Sequence, residues 1–207
     1  DSLPSKIKNS KYSVEIVPEG GHLVKNVINN IGVIVKNDLG KGFSRAKGKL
    51  VNSKNEILKE FELNEFGIQK ISLLPSENEN YKVIIGDENS NLTSTVRDIK
   101  TEGISISVST VRDNLRVIFR TNEQTFSSIK NKNYELFIHN GANIKSVPIK
   151  FNNLEVLKII NKKDLFKGIN ILTLFDIGVN RPIVERQIFN SLNSSRTASF
   201  NIVNQKL

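Results

Sequence analysis

The chain has 207 residues, with 30 Lys and Arg against 21 Asp and Glu for a formal net charge of +9, and it contains 11 Phe but no Trp, Cys or Met. Without Cys there is no disulfide framework, no thiolate metal site and no cysteine nucleophile. The 38% hydrophobic content supplies cores and speaks against disorder, and no run approaches the roughly 18 to 20 apolar residues that a membrane-spanning helix needs.

Basic charge raises nucleic acid as a partner, but its placement speaks against that. Lys25, Lys36, Lys41, Lys47, Lys54, Lys82 and Lys100 are spread over turns and strand faces among Asn and Glu. A nucleic-acid site gathers its charge on one face, so the expectation is a solvated basic surface and no nucleic-acid partner. The frequent Asn, Lys and Ile also fit an AT-rich coding genome. Asp stands at position 1 and no Met occurs anywhere, which suggests a processed chain or a piece of a longer one.

Residues 1–7 lack periodicity and read as an incoming linker. Tyr12, Val14 and Ile16 then alternate with Ser13 and Glu15 at the period of a strand. Pro18-Glu19-Gly20-Gly21 is a turn whose Gly pair permits positive φ. Strand-like runs follow at 31–36, 46–51, 57–63, 68–74, 81–85 and 92–99, separated by clusters of Asn, Asp, Gly, Ser and Pro. The run 57–63, ILKEFEL, also fits one or two helical turns, and its short length between turn clusters favours strand. Short strands with turn signals every 8 to 12 residues or so are the pattern of an all-β sandwich or barrel.

Lys100-Thr101-Glu102-Gly103 is short and polar and reads as a linker between two domains. Alternation resumes at Ile104, Ile106 and Val108, and further strand runs lie at 115–120, 134–139, 144–151 and 154–160. Gly168 to Phe189 reads as a hairpin around Asp176, Gly178, Asn180 and Pro182. In it Leu172 and Leu174 share a buried face with Ile188 as a cross-strand partner, and Asp176 ends the strand. Thr173 and Phe175 point the other way, where Phe175 needs cover from a loop or from the neighbouring domain. The expected architecture is all-β: two tandem antiparallel β-sandwich domains over residues 8–100 and 101–191. Residues 192–207 form a tail or the first strand of something further.

Several of these stretches are similar to a known family. Val17-Pro18-Glu19-Gly20-Gly21-His22-Leu23-Val24, then 30–36 and the Gly40-Lys41-Gly42 turn, resemble the Phe-Pro-Glu-Gly-Gly region of macroglobulin-like β-sandwich domains. Phe66-Gly67, Leu74-Pro75 and Tyr81 resemble later positions of the same domain. Gly168-Ile169, Thr173-Leu174-Phe175-Asp176, Pro182-Ile183-Val184-Glu185-Arg186 and Phe189 resemble the ending of the domain that follows it. The resemblance spans about Tyr12 to Phe189. It implies macroglobulin- or immunoglobulin-like sandwiches in a large secreted envelope protein of Gram-negative, Bacteroidota-type bacteria, often with carboxypeptidase-regulatory-like or TonB-receptor-plug-like regions downstream. Its implied partners are other domains of the same polypeptide and outer-membrane or envelope proteins. The thioester of true α-macroglobulins needs Cys, so covalent protease trapping does not carry over.

No residue pattern points to catalysis, a cofactor or a metal. His22 and His139 lie in different halves without acidic residues at metal spacing. Ser127-Ser128 and Ser194-Ser195 read as loop, and no Ser sits in a nucleophile turn. Pro18-Glu19-Gly20-Gly21 reads as a segment that turns the chain, and Glu185 and Arg186 as strand neighbours on opposite faces, each pairing with an adjacent strand. The family-motif positions are Pro18, Glu19, Gly20, Gly21, Gly168, Leu174, Phe175, Asp176, Pro182, Glu185, Arg186 and Phe189. The functional expectation is a non-enzymatic structural and protein-interaction module at the outer membrane; the alternative is a carbohydrate- or peptide-binding sandwich for nutrient uptake.

Overall fold

In the computed structural model, which describes residues 11–86 and 91–191, period-two burial starts with the first strand. Half-buried Tyr12, Val14 and Ile16 of β1 (Tyr12–Pro18) alternate with exposed Ser13, Glu15 and Val17. β1 pairs antiparallel with β3 (Asn29–Asn37), which pairs with β6 (Ile68–Leu73). A second sheet has the order β5 (Ile57–Glu62), β4 (Lys47–Val51), β7 (Lys82–Gly86) and β8 (Asn91–Thr95). Ile31, Val33 and Val35 from the first sheet and Leu50, Val83 and Ile85 from the second bury in one cluster. Strand β5, the ILKEFEL segment, lies on an edge, where Ile57 and Leu58 stay half exposed.

The run 92–99 is not one continuous strand. Val96 turns into the core, where its N–H donates to Tyr81 O, and Asp98 takes a φ of +59°. What remains is β9 (Ile99–Lys100), which runs parallel to β2 (Leu23–Val24). Lys100 is therefore strand and not linker, and Gly103 is tied at both ends: its N–H donates to Thr125 Oγ1 and its carbonyl accepts from Thr121 Oγ1.

The abundance of Asn has a structural use. Asn37, Asn52, Asn64 and Asn140 each accept two or more turn N–H groups through Oδ1, the Asx geometry that lets a short side chain replace a backbone partner. Asn29, 1% exposed, accepts from Val24 N and donates to the carbonyls of Val24 and Val27, which fixes the loop between β2 and β3. Two motif turns also meet. Gly67 has a φ of +73°, and a Cβ there would lie 2.6 Å from Phe43 N, so no larger residue fits.

The second core is built from β10 (Ile104–Val111), β11 (Asn114–Thr121) and β14 (Glu155–Asn161) facing a four-stranded sheet. That sheet has the order β13 (Ile144–Ile149), β12 (Tyr134–His139), β15 (Gly168–Asp176), β16 (Arg181–Asn190). Ile106, Val117 and Phe119 on one side and Leu136, Leu172 and Leu174 on the other are fully buried. Ser127 and Ser128 are not loop but belong to helix α1 (Glu123–Ile129), capped by Asn122, whose side chain accepts from Thr125 N. Thr125 and Ile129, one turn apart, are its buried residues. A single such pair is too short a pattern to register as helical periodicity.

In the hairpin, Leu172 and Leu174 are buried as expected, but their opposite residues are Arg186 and Val184, and Ile188 stands across from Asn170. A register shift beyond Leu174 places Phe175 opposite Pro182, the signature of a bulge. Phe175 lines an open pocket together with Gly141, Ala142 and Asn143 of the loop between β12 and β13. It packs on the outward face against Phe137, with ring centroids 5.3 Å apart. Asp176, 2% exposed, closes the strand by accepting from Gly178 N and Val179 N, and it faces Lys132 at 3.8 Å. Burial, then the charge and hydrogen bond of Asp176, push the Tyr134 hydroxyl up to about 12, so it remains a donor to that carboxylate. Asp176→Ala removes the acceptor shared by these groups and is expected to cost about 2 kcal/mol, on the scale of hydrogen bonds to a charged partner; urea denaturation reads it, and an unchanged midpoint would show that the turn holds without the carboxylate.

Candidate functional site at the joint between the two sandwiches

Pro18 ends β1, and the next residue turns inward. Glu19 has a side chain only 4% exposed, although a carboxylate leaves water only at a cost of several kcal/mol unless it is paired. Its partners come from both halves of the chain. Oε1 accepts from Val108 N at 3.2 Å and from Arg186 Nε at 3.1 Å. Oε2 accepts from Asn30 Nδ2 at 2.8 Å and faces Lys70 Nζ at 3.7 Å. Asn30 Nδ2 also reaches Ser107 Oγ, and Lys70 Nζ donates to Val108 O. One buried carboxylate thus ties β3 and β6 of the first sandwich to β10 and β16 of the second.

Its neighbours fit the same role. Gly20 has a φ of +91°, and a Cβ there would run into Val184 and come within 2.6 Å of Ile106 Cγ2. The backbone therefore lies directly against the second core, an approach only Gly allows. His22 is buried and its Nε2 lies 3.1 Å from Ile104 O. On the other side Asn122 caps α1 and also donates to the carbonyls of Lys25 and Thr101. The helix N-terminus is thereby fastened to the segment between the sandwiches.

Burial, followed by the positive charge of Lys100, lowers the affinity of His22 for a proton, partly offset by its hydrogen bond to Ile104 O. The unfolded chain then takes up a proton more readily than the folded one. Stability is complete above the ordinary histidine value of 6.5 and is lost as the pH falls below it toward the depressed value. Between about pH 7.5 and about pH 5.5 the wild type is expected to lose stability that His22→Gln, which keeps a donor and cannot titrate, does not lose. Urea midpoints across that interval measure it, and parallel curves would exclude His22 as the source.

The motif residues divide among three environments. Pro18, Glu19, Gly20 and Arg186 meet at the joint, where Arg186 reaches across to Glu19 and not to an adjacent strand. The segment 18–21 is therefore more than a turn. Gly21, with a φ of +87° and open space around its Cβ position, serves the turn itself. Leu174 is core, Asp176 caps the hairpin, and Gly168 opens β15 with a φ of +84°. Phe175, Pro182, Glu185 and Phe189 lie on the outward face of the four-stranded sheet, with Glu185 accepting from Thr173 Oγ1 and Phe189 68% exposed. Asn30, Lys70, Asn122 and the joint role of His22 have no local signal, because each acts on a residue far along the chain. Among the described residues no group of three or more His, Cys, Asp or Glu comes together in a way that could hold a metal ion, and no helix is long and apolar enough to cross a membrane.

No family model matches the sequence, and no curated protein matches it. Among solved structures, red sea bream transglutaminase is similar at 10% identity over 83% of this chain and 29% of that one, with a TM-score of 0.31. Escherichia coli alpha-2-macroglobulin activated by porcine elastase is similar at 11% identity over 86% of this chain and 20% of that one, with a TM-score of 0.32. The chain thus spans less than a third of the length of either protein.

Proposed function

We propose that this chain is a pair of macroglobulin-like β-sandwiches, divided near Glu102, that acts as a non-enzymatic spacer and protein-interaction module within a larger secreted cell-envelope polypeptide associated with the outer membrane. The observation that carries the spacer role is the joint. A flexible tether would leave the Glu19 carboxylate in water, whereas here it is desolvated and shared by Val108 N, Arg186, Asn30 and Lys70. Relative domain motion is the default unless the interface is firm, and a buried, fully partnered charge is specific to one geometry. The envelope setting is supported by the order of motifs from Pro18-Glu19-Gly20-Gly21 to Phe189.

Residual dipolar couplings measured on the two-sandwich protein test the spacer role. A single alignment tensor for both sandwiches is expected, and two independent tensors would show a loose linker and overturn it. Fractionation of cells producing the full-length polypeptide tests the setting: recovery with the outer membrane supports it, and recovery with the cytosol overturns it.

A further inference from the structure

The outward face of the β13-β12-β15-β16 sheet is unusual for this chain. Side chains alternate across a sheet, and the burial of Leu136, Leu172, Leu174 and Val184 fixes which positions point away from the core. The outward positions of β12 are Glu135, Phe137 and His139, and register places Thr173 opposite Phe137 and Phe175 opposite Glu135. Across β15, Glu185 stands opposite Thr173 and Pro182 opposite Phe175. On the far side Ile144 stands opposite His139 and Pro148 opposite Glu135.

No outward position of the four strands is Lys or Arg, although the whole chain carries 30 of them. The charges the face does carry are the carboxylates of Glu135 and Glu185. Phe137, Phe175, Pro182 and Ile144 line an open pocket of about 400 Å³, with Thr173 and Glu185 at its polar side. Beside it, Glu135 holds Oε2 out of water without any hydrogen-bond partner. That oxygen is closed to solvent, so the group of this face that can meet a cation is the exposed carboxylate of Glu185, which lines the pocket. Exposed apolar surface of this kind, bordered by polar groups, marks contact sites.

From this charge complementarity we infer that the face is a docking surface for a peptide segment carrying Lys or Arg between aliphatic residues. The aliphatic stem of such a side chain lies along Phe137 and Phe175, its head meets Glu185, and the ring faces add cation–π attraction. Thr173 Oγ1 holds Glu185 by one oxygen and leaves the other for the ligand. The inference gives the interaction role proposed above a surface and a partner chemistry, and it rests on that role.

The probe is a short acetylated and amidated peptide of alternating leucine and lysine, titrated into the isotopically labelled two-sandwich protein and followed by amide chemical shifts. Saturable shifts at Phe137, Thr173, Phe175 and Glu185 are expected, with none from the matching leucine–glutamate peptide. Glu185→Gln, which keeps shape and removes charge, should weaken binding roughly tenfold while leaving the spectrum of the free protein folded. Equal binding of both peptides, no binding at all, or concentration-dependent self-association that buries this face would each overturn the proposal. The single alignment tensor of the spacer test is independent of these outcomes, so the docking surface can fail while the joint stands.

Discussion

Replacing Glu19 by Ala is expected to separate the unfolding of the two sandwiches. In the wild type, loss of either sandwich strips Glu19 of half its partners, so each lends stability to the other and calorimetry should record one coupled transition. In Glu19→Ala, Val108 N and Asn30 Nδ2 lose a charged acceptor. Arg186 and Lys70, with side chains 43% and 50% exposed, regain water. Removing one partner of a fully buried pair costs about 3 to 5 kcal/mol because a charge is left stranded. Here the cations left behind are half solvated, which places the expected loss near the lower end, about 3 kcal/mol. Arg186→Ala should cost less, because Glu19 keeps Lys70, Asn30 and Val108 N. A single unshifted transition in Glu19→Ala would mean that the carboxylate sits at the joint without holding it.

Leu174→Ala strikes the second core directly. Leu174 is 0% exposed, between Leu136 of β12 and Val184 of β16, and truncating a leucine so enclosed costs about 2 to 5 kcal/mol through lost transfer energy and the cavity left behind. That is a large part of the roughly 5 to 15 kcal/mol that keeps a domain folded. Combined with Glu19→Ala, the effect should be confined to the transition of the second sandwich, with that of the first unmoved. In the otherwise intact protein part of the loss should pass through the joint to the first sandwich. If the double variant still shifts both transitions equally, the two halves share one core unit and the division near Glu102 is wrong.

Strand positions and faces were legible along the chain because period two is a local property. Tyr12, Val14 and Ile16, the alternation at Ile104, Ile106 and Val108, and the buried pair Leu172 and Leu174 follow from residue type and spacing alone. The single-strand reading of ILKEFEL likewise rests on the turn residues around it. Local spacing did not reach helix α1, whose buried face is one pair of residues, nor the break at Val96 between β8 and β9, where a side chain leaves the ladder to enter the core.

The joint and the outward face were decided only by tertiary structure. Glu19 and Arg186 stand 167 positions apart, and locally the first was readable only as a turn residue and the second only as a strand residue pairing with an adjacent strand. Nothing in either stretch says that the turn after β1 lies against the open side of β10 and β16. The absence of cations from the outward face is likewise invisible in the linear sequence, where Lys132, Lys145, Lys150 and Arg181 flank or interrupt the strands concerned. Charge along the chain averages both faces of every strand, and only pairing and register sort it by side, because a shift of one residue would exchange the faces.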